Sequence, residues 1–413
     1  MTDLREERGQ QIATLAKVTR RDDGSWRVPS MSGNGLYTVR IGHEPHCTCP
    51  DHETRGCKCK HIYAVEYILK REIQTHADGS TTITETISKR TTYPQNWPAY
   101  NAAQQNEKDE FKSLLADLCR GIENRPQTGR GRRFLRLGDA VFAVVFKVYS
   151  TVSSRRFTSD LNEAKERGYI EDVAHFNSIF DYLQNPLLTD ILKSLIVATS
   201  LPLKEIETDF AVDSTGFTSS RFHRWYDHKY GAFRQEHDWV KVHICSGVKT
   251  NIVTAVEIFD RNASDAPLLP ALVDQTAKNF SVNEVSADKG YSSVDNHTAI
   301  AAVGAIPFIV FKGNATGSGR HDGLNRDMSV WQKMFHFFSF KRDEFLAHYH
   351  KRSNVESTIS MMKAKFGDAI RSKTDVAMKN EALCKILCHN LCCVISAMYE
   401  LGIEPDFLRP KAA

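Results

Sequence analysis

Apolar and polar residues alternate through SWRVPSM and GLYTVRI with the period of a half-buried strand. They then give way to a cysteine-rich stretch and to HIYAVEYILKRE, whose apolar positions recur at helical spacing. Residues 1–75 are therefore expected to form a small strand, strand, metal loop, helix module. The next segment, 76–105, opens HADGSTTITETISKRTTYPQNWPAY; rich in Thr and Ser and carrying two prolines, it reads as a linker. In 106–205, apolar residues of EFKSLLADLC, GDAVFAVVFKVYS and PLLTDILKSLIVATS recur every three or four positions, which predicts helices. From residue 206 the pattern becomes three short β-rich runs, TDFAVDST, WVKVHICSG and NIVTAVEIF. Helices then alternate with the strands of NEVSADKGY and IPFIVF. That order implies a mixed sheet with flanking helices. Two long helical segments, FLAHYHKRSNVESTISMMKAKFG and NEALCKILCHNLCCVISAMYE, close this region near residue 400 and leave 401–413 as a tail. No internal repeat is seen.

At 413 residues, with 41% hydrophobic and 25% charged residues, the chain is expected to be a folded, soluble, multidomain α/β protein. It has no run of about eighteen apolar residues, and its start, MTDLREERGQQ, has no apolar core for a signal peptide. The expectation is a cytoplasmic protein without a membrane partner. A net charge of +4 is too small to demand a polyanion, yet the charge is local. Between Lys341 and Lys373 there are eight Lys or Arg against four Asp or Glu, a surplus equal to that of the whole chain.

Four of the ten cysteines fall between Cys47 and Cys59, which favours metal binding over disulfides. In HCTCPDHETRGCKCKHIYAVEY, Cys47, Cys49, Cys59 and His61 follow C-x-C-xn-C-x-H, a pattern that resembles the SWIM zinc finger. The resemblance implies a small ββα fold. Thiolates and an imidazole at this spacing suit one structural, tetrahedral zinc ion, which would substitute for the core so short a segment lacks. Cys57, His46 and His52 compete as ligands. SWIM modules bind DNA or protein, and Arg55, Lys58 and Lys60 beside the ligands lean toward DNA. Cys384, Cys388 and Cys392, at helical spacing among Leu and Ile, read as core.

Asp213 follows the apolar run DFAV, and Asp288 ends the apolar strand of EVSADKGY. A carboxylate on a buried strand is costly unless paired or metal-bound, so two such positions are informative. Tyr349, Arg352, Glu356 and Lys363 would lie within roughly a 60° arc of one α-helix. An exposed Arg–Glu ion pair is the bland alternative.

The spacing Y-x2-R-x3-E-x6-K at Tyr349, Arg352, Glu356 and Lys363 resembles the signature of DDE transposases of prokaryotic insertion sequences. AVDSTGF and ADKGYSS are similar to that family's two aspartate motifs, so the resemblance covers about residues 206–400. It implies an RNase H-like fold in which Asp213, Asp288 and Glu356 form the catalytic triad. That triad would hold two Mg²⁺ (or Mn²⁺) ions about 3.5–4 Å apart for in-line phosphoryl displacement on DNA. Arg352 and Lys363 would bind phosphates, and Tyr349 would either orient a phosphate or pack. The implied activity is cleavage of transposon ends and strand transfer into target DNA, by a dimer assembled on double-stranded DNA in the nucleoid.

Other segments leave alternatives open. GRGRRFLRLG, with Arg130, Arg132, Arg133 and Arg136, is either a solvated basic turn or a phosphate-contacting arm. In SSRFHRWYDHKYGAFR, Arg221, Arg224, Lys229 and Arg234 interleave with Phe222, Trp225, Tyr226 and Tyr230, which suits base stacking or an ordinary packed hairpin. FKGNATGSGRHDG reads as a flexible loop, and Trp331 beyond it has no assigned role. The rival functions are a metal-dependent DNA nuclease that does not join strands and a domesticated, non-catalytic DNA-binding protein.

Overall fold

The computed structural model describes residues 4–30, 35–42, 44–75, 81–87, 96–124, 134–219, 239–260, 266–318 and 328–407. The chain divides into two compact units, Met1–Pro94 and Gln95–Ala413.

The first unit opens with helix α1 (Leu4–Leu15), followed by β1 (Thr19–Arg20), β2 (Trp26–Pro29), β3 (Leu36–Arg40) and β4 (His46–Cys47). These strands form one antiparallel sheet in the order β1-β2-β3-β4. Helices α2 (Pro50–Arg55) and α3 (Lys60–Ile68) follow. Trp26 and Val28 alternate inward on β2 and meet Ile12, Val39, Ile62 and Val65 in a small core. Gly9 is where α1 crosses α3: a Cβ there would stand 2.6 Å from the Tyr63 Cβ, so no larger residue fits without moving a helix. Strands β5 (Leu69–Thr75) and β6 (Thr81–Ile87) pair antiparallel, so part of the segment read as a linker is paired strand.

The second unit begins with α4 (Trp97–Arg120), whose first nine residues also fall in that segment, then α5 (Leu137–Ser150), α6 (Ser154–Glu166), α7 (Ser178–Leu183) and α8 (Leu187–Ser200). Strands β7 (Asp209–Thr218), β8 (Trp239–Gly247) and β9 (Val253–Asp260) run antiparallel. After α9 (Leu269–Ala277), strand β10 (Glu284–Ala287) joins β7 in parallel. Helix α10 (Val294–Ala302) leads to β11 (Ile306–Ile309), parallel to β10. The described strands make a mixed sheet in the order β11-β10-β7-β8-β9 with helices against it, as the strand pattern predicts. Helices α11 (Ser329–Phe340), α12 (Arg342–Tyr349), α13 (Ser353–Phe366) and α14 (Asp375–Leu401) complete the unit.

One core joins the helices of residues 97–200 to the sheet: Phe111, Phe142, Phe146 and Leu192 share a cluster with Val242, Leu387 and Val394. Helix α14 is its axis and packs on α4, α5 and α8. By length and composition α14 is apolar enough to cross a membrane, but 78% of its most apolar window is buried inside this core. Cys384 and Cys388 are fully buried there, Cys392 partly. The opposite face of the sheet has its own core, with Phe210, Val212, Leu272 and Val285. A third cluster gathers Phe308, Phe311, Trp331 and Phe345.

Candidate carboxylate site and cysteine cluster

Strand β7 alternates with a period of two: Phe210 and Val212 enter one core, Ala211 and Phe217 the other. Asp213 therefore faces the side of Ala211, on which α13 packs against β7. The parallel register pairs Ala287 with Val212, so the next residues, Asp288 and Asp213, stand at neighbouring strand positions. Asp288 caps the short 3₁₀ turn Lys289–Tyr291, its Oδ2 accepting from the Gly290 N–H at 3.4 Å. Glu356 sits in the first turn of α13 and is exposed.

Arg352 joins two of these acids. Its guanidinium donates to Asp213 Oδ2 at 3.4 Å and to Glu356 Oε1 at 2.7 Å. Burial pushes the Asp213 carboxyl above the usual range; the Ser214 N–H and Arg352 oppose this, while the negative charges of Asp288 and Glu356 add to it. The site thus gathers carboxylate oxygens around a half-buried acid, a donor set that suits hard divalent cations. Its three carboxylates are more open than a closed cage. Among the described residues, the one set of Cys, His, Asp or Glu whose ligand atoms all lie within 4.8 Å of one another is the cysteine cluster.

The expectation of one continuous helix through Tyr349, Arg352, Glu356 and Lys363 needs correction. A 3₁₀ turn at His350–Arg352 separates α12 from α13, so Tyr349 ends one helix and Glu356 begins the next. The physical cause is a set of pins on the sheet. Lys351 Nζ donates to Asp209 Oδ2 and to Glu284 Oε2, both at 2.7 Å, and His348 Nδ1 lies 2.9 Å from Glu284 Oε1. The tighter turn lets Lys351 reach the starts of β7 and β10 while Arg352 reaches Asp213. Nothing in the local sequence singled out Lys351, Asp209 or Glu284, because the partners are far apart in the chain.

Tyr349 is half-buried, with the Arg352 guanidinium 5.8 Å from its ring centroid. Burial raises its pKa. Lys363 lies farther along: its Nζ is 5.6 Å from the Phe217 ring centroid, and burial lowers its pKa. Phe217 is roughly 13 Å along β7 from Asp213 at about 3.3 Å per residue. Trp331 is structural: its Nε1 donates to the Thr316 carbonyl at 2.8 Å, and its ring packs edge-on against Phe311 and His297. Arg136 pairs with Glu171. Arg130, Arg132 and Arg133, the basic-aromatic stretch from Arg221 to Arg234, and the glycine-rich loop beyond Ser318 lie outside the described residues.

In the first unit, Cys47, Cys49, Cys59 and His61 converge, all buried. His61 Nδ1 lies 3.9 Å from Cys47 Sγ and 3.8 Å from Cys59 Sγ. The Cys59 thiol is held well below its ordinary value, chiefly by Cys47, with His61 contributing, while the Cys47 thiol is pushed up by Cys59 and burial. Buried sulfurs and an imidazole nitrogen aimed at one point form a group that could hold a metal ion. The competing residues sit apart: His52 Nδ1 meets the Cys57 carbonyl at 2.8 Å, and the His46 ring packs edge-on against His52. Of the flanking cations, Lys58 pairs with Glu66 at 2.6 Å and Arg55 with Asp51 at 3.6 Å.

No curated protein matches the chain. Residues 205–391, the segment that carries Asp213, Asp288 and Glu356, match the family described as Transposase DDE domain, which supports a transposase of the DDE kind and, with it, DNA as the partner.

Proposed function

We propose that this protein is an insertion-sequence transposase that cleaves transposon ends and joins them to target DNA. Asp213, Asp288 and Glu356 would hold two Mg²⁺ or Mn²⁺ ions. The observation that carries this reading is the placement of Asp288, the residue after β10, beside Asp213 of the parallel β7, with Glu356 on the helix packed over β7. The strand order supports an RNase H-like scaffold, since three antiparallel strands are followed by two parallel ones beside the first. When bound, such a metal pair activates a water or 3′-hydroxyl and stabilises the leaving oxygen of an in-line displacement.

The chain's own residues set the geometry. Asp213 is fixed by a central strand, Asp288 by its cap on the following turn, and Glu356 by the first turn of α13. Arg352 balances the like charges of Asp213 and Glu356, and its planar fork suits a phosphate once metals take over that task. Lys363, about 10 Å along the helix from Glu356, would meet a more distant phosphate. Cys47, Cys49, Cys59 and His61 would hold one structural zinc ion in a SWIM-type finger. Coordinated cutting of two ends would bring two subunits together on DNA.

The test uses the purified full chain, Mg²⁺, a DNA fragment carrying both ends of the element, and a target plasmid. Joined products are expected. Asp213→Asn and Glu356→Gln should each lower their yield by about 10³-fold or more, since each removes several kcal/mol of metal-borne stabilisation. Cleavage without joining would replace the reading with a nuclease. Full activity in both variants would overturn the site.

A further inference from the structure

A second place in this unit gathers several cations. A cavity of about 530 Å³ lies between α5, the start of α6 and the 369–374 segment, and Lys147, Arg371, Lys373 and Lys385 line it. Its acid, Glu381, is already engaged: its oxygens accept from the backbone N–H groups of Arg371 and Ser372 at 2.8–3.1 Å. Lys385 is likewise committed, donating to the Gly367 and Ala369 carbonyls at 2.9 and 2.7 Å. Among the described residues, Lys147 and Lys373 make no such bonds. Burial, then the neighbouring Arg371 charge, depress the Lys147 pKa, and Glu381 offsets them only in part.

The α6 end of the cavity points the same way. Ser154, 8% exposed, lines it, and its buried Oγ has no hydrogen-bond partner among the described residues. Ser153 provides no side-chain cap for this 13-residue helix, which leaves its first N–H groups and positive dipole end available. Two lysines and a buried hydroxyl without hydrogen-bond partners among the described residues, beside an uncapped helix start, suit a phosphate.

The cavity is tied to the carboxylate site through β7. Thr218, at the end of that strand, forms a parallel bridge with Ala369, and the Thr218 and Ile370 backbones exchange hydrogen bonds with Asp368 and Thr218. Five residues separate Thr218 from Asp213, roughly 17 Å at about 3.3 Å per strand residue. Phe217, next to Thr218, has Lys363 Nζ 5.6 Å and Lys385 Nζ 5.2 Å from its ring centroid.

We infer that this cavity seats a backbone phosphodiester of the bound DNA flanking the one that is cut, with Lys147, Lys373 and the Ser154 hydroxyl as donors. The inference rests on the transposase reading for its ligand, but it concerns anchoring and not chemistry. It makes the cavity a positioning site that sets how far the DNA runs past the carboxylates.

The test measures binding of the full chain to a mixed-sequence DNA duplex over a range of salt concentrations. Lys373→Ala, at an exposed position, and Lys147→Met, which keeps the apolar stem, should each lower the slope of log affinity against log salt by about 1. On a second duplex that carries a transposon end, hydroxyl-radical protection beside the cut site should fade in both. Unchanged slopes and footprints in both variants, with a salt-dependent parent, would overturn the cavity assignment and leave the transposase reading intact. A parent that shows no salt-dependent DNA binding would overturn both. Binding of inorganic phosphate that is lost in the variants, with the DNA slope unchanged, would show a free-anion site and also overturn the assignment.

Discussion

Lys351→Met tests the pin beneath the carboxylate site. Asp209 and Glu284 face each other in the parallel register of β7 and β10, a like-charge cross-strand pair that is unfavourable by itself. Lys351 Nζ stands 2.7 Å from an oxygen of each. Burial opposes its charge, yet these two bonds hold its pKa above the ordinary lysine range. The Lys351 side chain is 31% exposed and its partners 21% and 17%, so screening is partial. Two charge-assisted hydrogen bonds at about 1.5–3 kcal/mol each, discounted for that exposure, give a loss of about 2–4 kcal/mol. Methionine keeps most of the stem's packing, so the loss reports charge and not volume. Urea denaturation followed by far-UV circular dichroism measures it. The triple variant Lys351→Met, Asp209→Asn, Glu284→Gln should recover at least half of the loss, because it removes the uncompensated acids as well. A single-variant loss under about 0.5 kcal/mol, the size of an ordinary surface pair, would refute the reasoning, as would a triple variant no more stable than the single one.

Other consequences are open to measurement. His297 is buried against Phe311 and Trp331, its Nδ1 lies 2.8 Å from the Ser293 carbonyl, and burial lowers its pKa to about 4. The unfolded chain takes up this proton from about pH 6.5 downward, so stability should fall as pH drops from there toward 4, by up to about 3 kcal/mol. In His297→Phe that part of the slope should vanish; an unchanged slope in paired denaturation series would show that His297 is not its source. Trp331→Ala should cost about 3–5 kcal/mol by cavity formation and leave the Thr316 carbonyl without its donor. A Trp331→Ala melting curve superimposable on the parent's would contradict a structural role. A strong zinc chelator should unfold the first unit, whose core is small and includes the cysteines themselves, while the second unit stays folded. Limited proteolysis with a zinc-release dye reads this out, and intact Met1–Pro94 after complete zinc loss, or no zinc to release, would count against a structural metal.

What was legible in the sequence was local. The cysteine cluster could be read because its ligand spacing is short, and the mixed sheet because three strand-like runs precede the alternation with helices. Asp213 and Asp288 stood out because a carboxylate at the end of an apolar run is conspicuous wherever its partner lies. The remainder depended on contacts between distant segments. Apolar periodicity predicts α4, α5 and α8 but not that they share one core with the sheet through α14, since an amphipathic face does not name what covers it. Likewise, TTITETI alternates with strand periodicity, but its polar surroundings drew it into a linker; pairing with Leu69–Thr75 is what makes it a strand.

The break at His350–Arg352 is the instructive failure. An unbroken helical pattern runs through residues 342–366, and no proline or glycine there marks a 3₁₀ turn. The turn follows from two demands on consecutive residues. Lys351 must reach Asp209 and Glu284 at the starts of their strands, while Arg352 must reach Asp213, four residues up β7. Consecutive residues point about 100° apart in an α-helix but about 120° apart in a 3₁₀ turn, which also rises farther per residue, so the turn spreads Lys351 and Arg352 between two sites on one sheet. The carboxylate site and its pin are thus one construction: the turn that neutralises the strand starts also aims Arg352 between Asp213 and Glu356. A chain that kept the three acids but lost Lys351 would therefore keep the sequence signature while losing the geometry behind it.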